Sequence, residues 1–181
     1  MTNPLLSESQ LEFELPDFSA LKDEHYLPAF EHAVSEHQAQ IAAILAEPST
    51  SFENTIVALE RSGQLLASML MVFYNKSSSD TNEALQALEA EIGPRYAAHT
   101  DSIQLNPALF NRLTTLEAME AAGELNLDPE SSWLLQRYLK DFRFAGAALS
   151  EAARKRVGEI NERCSGLEAE FDKRLLADTN D

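Results

Sequence analysis

At 181 residues, 44% of them hydrophobic, the chain is long enough for one domain whose core needs no disulfides. Its 26 Leu and 25 Ala outweigh 10 Val plus Ile, and six Gly and seven Pro are too few for many short strands, which excludes an all-β fold. With 30 Asp plus Glu against 14 Lys plus Arg, a net charge of −16, no basic face is available for nucleic acid, and the acidity reads as a solvated surface.

Residues 1–17 read as an extended arm punctuated by Pro4 and Pro16, and residues 18–181 as a helical domain. A first helix is expected over Glu24–Ala46, with Leu27, Phe30, Val34, Ile41, Ile44 and Leu45 mostly at three- and four-residue steps. Thr50 and Glu53 have capping-box spacing and predict a second helix running to about Asn75. Between Leu65 and Tyr74 its apolar residues cover the whole circumference, so that stretch needs cover from elsewhere. Asp80 and Glu83 predict another capping box. The stripe Leu85, Leu88, Ile92, Tyr96, His99 and Ile103 then runs through Gly93-Pro94, which predicts one kinked helix.

Asn106-Pro107 and Asp128-Pro129 each set an N-cap residue before a proline at the first helical position. They predict helices near 107–121 and 129–146. Ser150 caps a last helix to about Leu176, whose narrow stripe Val157, Ile160, Cys164, Leu167, Phe171 and Leu175 predicts a single packing seam. The sum is an all-α, antiparallel assembly of about six helices.

The histidines come first in a search for chemistry. A zinc helix needs imidazoles four residues apart, with a glutamate beside them. His32 and His37 are five apart, about 140° around a helix, and Glu36 completes neither that pattern nor its inverted form. His25 and His32 share a face but lack a third ligand, so all three read as surface histidines. His99 and Cys164 lie on apolar stripes and read as core. Arg154-Lys155-Arg156 sits among acids and reads as a solvated helix face. No phosphate-cradling glycine loop and no Gly-x-Ser-x-Gly elbow occurs. Read from its residues, the chain has no catalytic group, no metal ligand set and no identifiable substrate contact.

The single cysteine gives no internal disulfide, the first residues lack the pattern of a secretory signal, and no run approaches the roughly 20 apolar residues of a membrane span. A cytoplasmic protein without membrane or nucleic-acid partners is the expectation.

Five stretches nevertheless share a family's wording. Asn3-Pro4-Leu5-Leu6 with Leu15–His37, then Ser51–Gly63, Ser77–Pro94, Leu105–Leu113 and Arg137–Ser150, resemble in order the start of the thimet oligopeptidase/peptidyl-dipeptidase family of zinc metallopeptidases. The likeness is to its bacterial peptidyl-dipeptidase and oligopeptidase A-like members, and it spans essentially the whole chain. It implies the N-terminal helical domain of a longer enzyme, forming part of one wall of a channel that admits short peptides. The family's zinc helix, third ligand and substrate-binding Tyr and His lie downstream and have no counterpart here. No catalytic or metal role is therefore carried onto any residue, and the chain alone is expected to be inactive. Zinc is implied for the full-length enzyme only. The implied partner is a C-terminal catalytic half. The competing expectation is an autonomous helical interaction module, self-associating through the apolar surface near Leu65–Tyr74.

Overall fold

Asn106 and Asp128 show how directly short signals act here. Asn106 Oδ1 accepts from the backbone N–H groups of Ala108 and Leu109 at 2.9 and 3.1 Å, and Asp128 Oδ1 accepts from Glu130 and Ser131 at 2.9 and 3.0 Å. Each thus satisfies two of the free N–H groups that every helix start exposes. The computed structural model describes residues 3–7 and 9–180, apart from the side chains at positions 172, 173, 176, 177, 179 and 180. Among the described residues the fold is helical without strands. Its helices are α1 (Tyr26–Ala46), the four-residue α2 (Ala58–Arg61), α3 (Gln64–Ser79), α4 (Glu83–Gln104), α5 (Pro107–Ala121), α6 (Pro129–Ala145) and α7 (Glu151–Asn180). Short 3-10 turns occupy Pro4–Leu6, Glu12–Glu14 and Asp23–His25.

Three local expectations change. The box that opens the second helical segment is formed by Ser51 and Asn54, not Thr50 and Glu53. Ser51 Oγ accepts from Asn54 N at 3.1 Å, and Asn54 Oδ1 accepts from Ser51 N at 2.8 Å. A π-helical turn at Glu53–Val57 follows, and the expected single helix then breaks at Ser62-Gly63. The cap of α4 is Asn82, which accepts from Leu85 N at 2.9 Å, while Asp80 is taken by an ion pair with Lys76. As expected, α4 continues through Pro94 as one helix.

The chain divides into two compact units. The first comprises residues 1–38, 63–96 and 164–181, and the second residues 39–62 and 97–163. In the first unit, Tyr26, Ala29, Phe30 and Ala33 of α1 pack with Leu66, Met69, Leu70, Val72 and Phe73 of α3 and with Leu85 and Ile92 of α4. Tyr26 and Phe73 meet edge to face with ring centres 5.3 Å apart. The cover that the all-round apolar stretch requires is thus supplied largely by its own unit, although Met71 stays 73% exposed.

By length and composition Glu53–Ser79 would suffice to cross a membrane, contrary to the expectation from its apolar runs. It is broken at Gly63 and 39% of its apolar window is buried, with Leu66, Met69, Leu70, Val72 and Phe73 in the core of the first unit.

The second unit is built on Ile41, Ile44, Ile56 and Leu59, on Leu109, Leu113 and Leu116 of α5, and on Leu135, Leu139 and Phe142 of α6. Helix α6 closes with Gly146 at φ 107°, whose N–H and that of Ala147 both donate to the Phe142 carbonyl at 3.1 and 2.9 Å.

At the other break, Gly63 has φ 69°, and the imidazole of His37 lies against it. A Cβ there would come within 2.6–2.9 Å of three ring atoms. Gly63→Ala should therefore cost about 2 kcal/mol, combining the left-handed backbone with steric overlap. Adding His37→Ala should recover the steric share and leave the backbone share, as urea unfolding of the three proteins would reveal.

Candidate functional site

No group of three or more His, Cys, Asp or Glu able to hold a metal ion occurs among the described residues. The four histidines stand apart in role as well as in place. His25 is half-buried and its Nδ1 accepts from Lys22 N at 3.1 Å, while its carbonyl accepts from Asn3 Nδ2 at 2.7 Å. His32 is exposed. His37 is half-buried against Gly63, and burial lowers its pKa below the ordinary imidazole range. Its contribution to stability is accordingly complete above pH 6.5 and is lost as the pH falls through the lowered value. His99 is buried, as its place on an apolar stripe predicts.

Cys164 corrects the sequence reading: it is exposed, not core. Its neighbours along the α7 stripe, Ile160, Leu167, Phe171 and Leu175, are exposed as well. The face of α7 that packs is a different one. Gly158 lies close to Asp101 and Leu105, and Asn161 Nδ2 donates to both carboxylate oxygens of Asp101 at 2.9 and 3.0 Å. Helical periodicity identifies a stripe but does not say whether anything covers it.

The most tightly organised polar cluster was not singled out in the sequence. Arg112 of α5 is buried. Its Nε donates to Thr55 Oγ1 at 3.2 Å, Nη1 to the Glu47 carbonyl at 3.0 Å, and Nη2 to the Ser49 carbonyl at 2.8 Å and Asn54 Oδ1 at 2.9 Å. The guanidinium fork meets neutral acceptors spread over the turn that joins α1 to the π-helical segment, so it fixes that turn by geometry. Thr55 and Asn54 belong to one of the stretches that carry the family resemblance, and Arg112 to another.

Other polar contacts tie helices together without forming a catalytic arrangement. Tyr138 donates to Glu60 Oε1 at 2.7 Å, and burial first, then this carboxylate, hold its hydroxyl well above the usual phenol range. A groove of about 330 Å³ in the first unit is lined by apolar residues including Leu5, Leu11, Leu21, Met69 and Val72, with Glu14 and Asp17 among its walls. It contains no nucleophile paired with a base. The remaining feature of note is the outer side of α6, where Trp133 and Phe144 are 63% and 79% exposed beside Arg137 and Lys140. Its spacing was readable in the sequence but gained meaning only once Leu135, Leu139 and Phe142 were seen to occupy the opposite side.

No family model matches the chain. Individual proteins do. It is 38% identical over 177 residues to dipeptidyl carboxypeptidase of Salmonella typhimurium, an alignment that covers 97% of this chain and 26% of the relative. That likeness is consistent with an N-terminal region of the thimet oligopeptidase family, which the sequence resembles. Dipeptidyl carboxypeptidase of Escherichia coli is 35% identical over 176 residues, and oligopeptidase A of Haemophilus influenzae 27% over 177. The chain spans about a quarter of the length of the curated relatives it matches. The Asn106 cap, the Ser51–Asn54 box, Arg112 itself and the Gly146 helix stop lie in stretches that carry the resemblance, whereas Glu47 and Ser49, two of the Arg112 acceptors, lie outside them.

Proposed function

We propose that the chain acts as a non-catalytic wall of the substrate channel in a zinc-dependent peptidyl-dipeptidase or oligopeptidase. It shapes access for short peptides, and a catalytic region of the kind its relatives possess carries the chemistry. The observation that carries this reading is the match over 97% of the chain to two dipeptidyl carboxypeptidases at 38% and 35% identity. The described residues offer no donor set that fits zinc, so no step of hydrolysis is assigned to this chain. Its expected contribution is shape: rigid helices with firmly capped ends that limit which peptides reach a remote centre.

Grafting tests the reading. The chain replaces the corresponding N-terminal quarter of the Salmonella typhimurium dipeptidyl carboxypeptidase, and cleavage of short fluorogenic peptides is followed with and without chelator. The expected result is chelator-sensitive cleavage by the chimera and none by the chain alone. A folded chimera that cleaves nothing, or metal-dependent cleavage by the isolated chain, would overturn it.

A further inference from the structure

The outer face of α6 lies wholly within the second unit. At 100° per residue, Trp133, Arg137, Lys140 and Phe144 fall within an arc of roughly 60°. The steps between them are four, three and four residues, and all four side chains are exposed. Leu135, Leu139 and Phe142 are buried on the other side, which fixes this face outward. Lys140 lies over the Phe144 ring with its ammonium 5.6 Å from the ring centre. Arg137 has one ion-pair partner, Asp141, at 2.8 Å on an exposed surface. Lys140 makes no ion pair among the described residues.

Such a face is out of keeping with its surroundings. Acids outnumber bases 30 to 14 in the whole chain, yet here two cations stand between two large aromatic rings. Tryptophan left open to water beside cations is the composition of a binding surface, where aromatic anchors supply area and arginine or lysine supplies charge recognition.

We propose that this face binds a short acidic peptide in extended conformation. Trp133 and Phe144 are eleven residues apart, roughly 16 Å along the helix axis. An extended chain advances about 3.3 Å per residue. Because an extended chain alternates its side chains, the apolar pair that meets both rings lies six residues apart, with the two carboxylates on the same side between them meeting Arg137 and Lys140. The choice of a peptide as occupant rests on the reading of the chain as a channel wall; the charge and spacing preferences rest on α6 itself. The overall acidity of the chain works against long polyanions and leaves a local site for a small number of carboxylates.

Trp133 is the sole tryptophan, so its fluorescence reports on this face directly. The probe is a heptapeptide with leucine at both ends and five glutamates between, titrated into the purified chain at low salt. A second heptapeptide carries glutamine in place of each glutamate. The expected result is a saturable blue shift with the acidic peptide and binding at least about tenfold weaker with the glutamine peptide. Lys140→Glu and Arg137→Glu should each weaken the acidic peptide by about tenfold while far-ultraviolet circular dichroism is unchanged. Equal binding of both peptides, indifference to both substitutions, or no saturable shift would overturn the proposal. So would stronger binding of heparin than of the acidic heptapeptide. A shift that follows protein concentration without peptide, with dimer seen in sedimentation, would instead assign the face to a second copy. Because this titration involves no cleavage, its failure is distinct from failure of the chimera, which is assayed with neutral peptides.

Discussion

An Arg112→Ala variant is expected to lose about 3 kcal/mol or more of stability, read as a drop in the urea midpoint. Four acceptors converge on this guanidinium, two of them main-chain carbonyls, at 2.8–3.2 Å. Alanine would leave Thr55, a fully buried side chain, without its guanidinium donor, and would release the turn at Glu47 and Ser49. Water can reach the carbonyls of Glu47 and Ser49, whose residues are exposed, so the loss stays below the sum of four separate bonds. Arg112→Lys should recover less than half, because an ammonium cannot present the planar fork that reaches all four acceptors. A loss below about 1 kcal/mol for alanine would mean the cluster is a passive consequence of packing.

The second large effect belongs to the first unit. Phe73 is fully buried in contact with Tyr26, within a core drawn from α1, α3 and α4. Phe73→Ala should cost about 3–5 kcal/mol, the sum of lost transfer energy and the cavity left behind. Phe73→Leu keeps most of the volume and should cost markedly less, whereas Met71→Ala, two residues earlier but 73% exposed, should change stability by roughly 0.5 kcal/mol or less. Thermal or urea unfolding of the three variants would separate a core with one preferred inward face from a helix that is apolar all round. If Met71→Ala proved as costly as Phe73→Ala, the outward placement of Met71 would be wrong.

Much of the architecture was readable where the signal was local and unambiguous. Asn106-Pro107 and Asp128-Pro129 each offered one cap residue and one proline, and both helices begin there. The run through Gly93-Pro94 was readable because its apolar period persists across the proline. Reading failed where several neighbours could do the same work. Asp80, Thr81 and Asn82 can all cap a helix. Asn82 does so in a register that buries Leu85 completely, and its Nδ2 donates to Asp23 Oδ2 at 3.0 Å, a contact 59 positions away. The break at Gly63 was hidden for the same reason, since the close approach of His37 comes from another helix. Arg112 gave no sign in the sequence because a lone arginine on a helix is usually solvated, and two of its four acceptors are carbonyls that any residue possesses. Cys164 and its stripe went wrong because a period reports direction and not cover.

The path of the chain through its two units has a consequence for how the molecule is made. It passes from one to the other at Gln38/Ala39, Ser62/Gly63, Tyr96/Ala97 and Arg163/Cys164, and three of those passages fall inside α1, α4 and α7. A ribosome releasing this sequence delivers the last residue of the second unit at position 163 and begins the last segment of the first at 164. The first unit therefore stays open until the whole of the second has been synthesised, unlike domains that follow one another along a chain. For the same reason no single proteolytic nick or terminal deletion separates one unit from the other. Dissecting the two therefore calls for substitutions in the uncut chain.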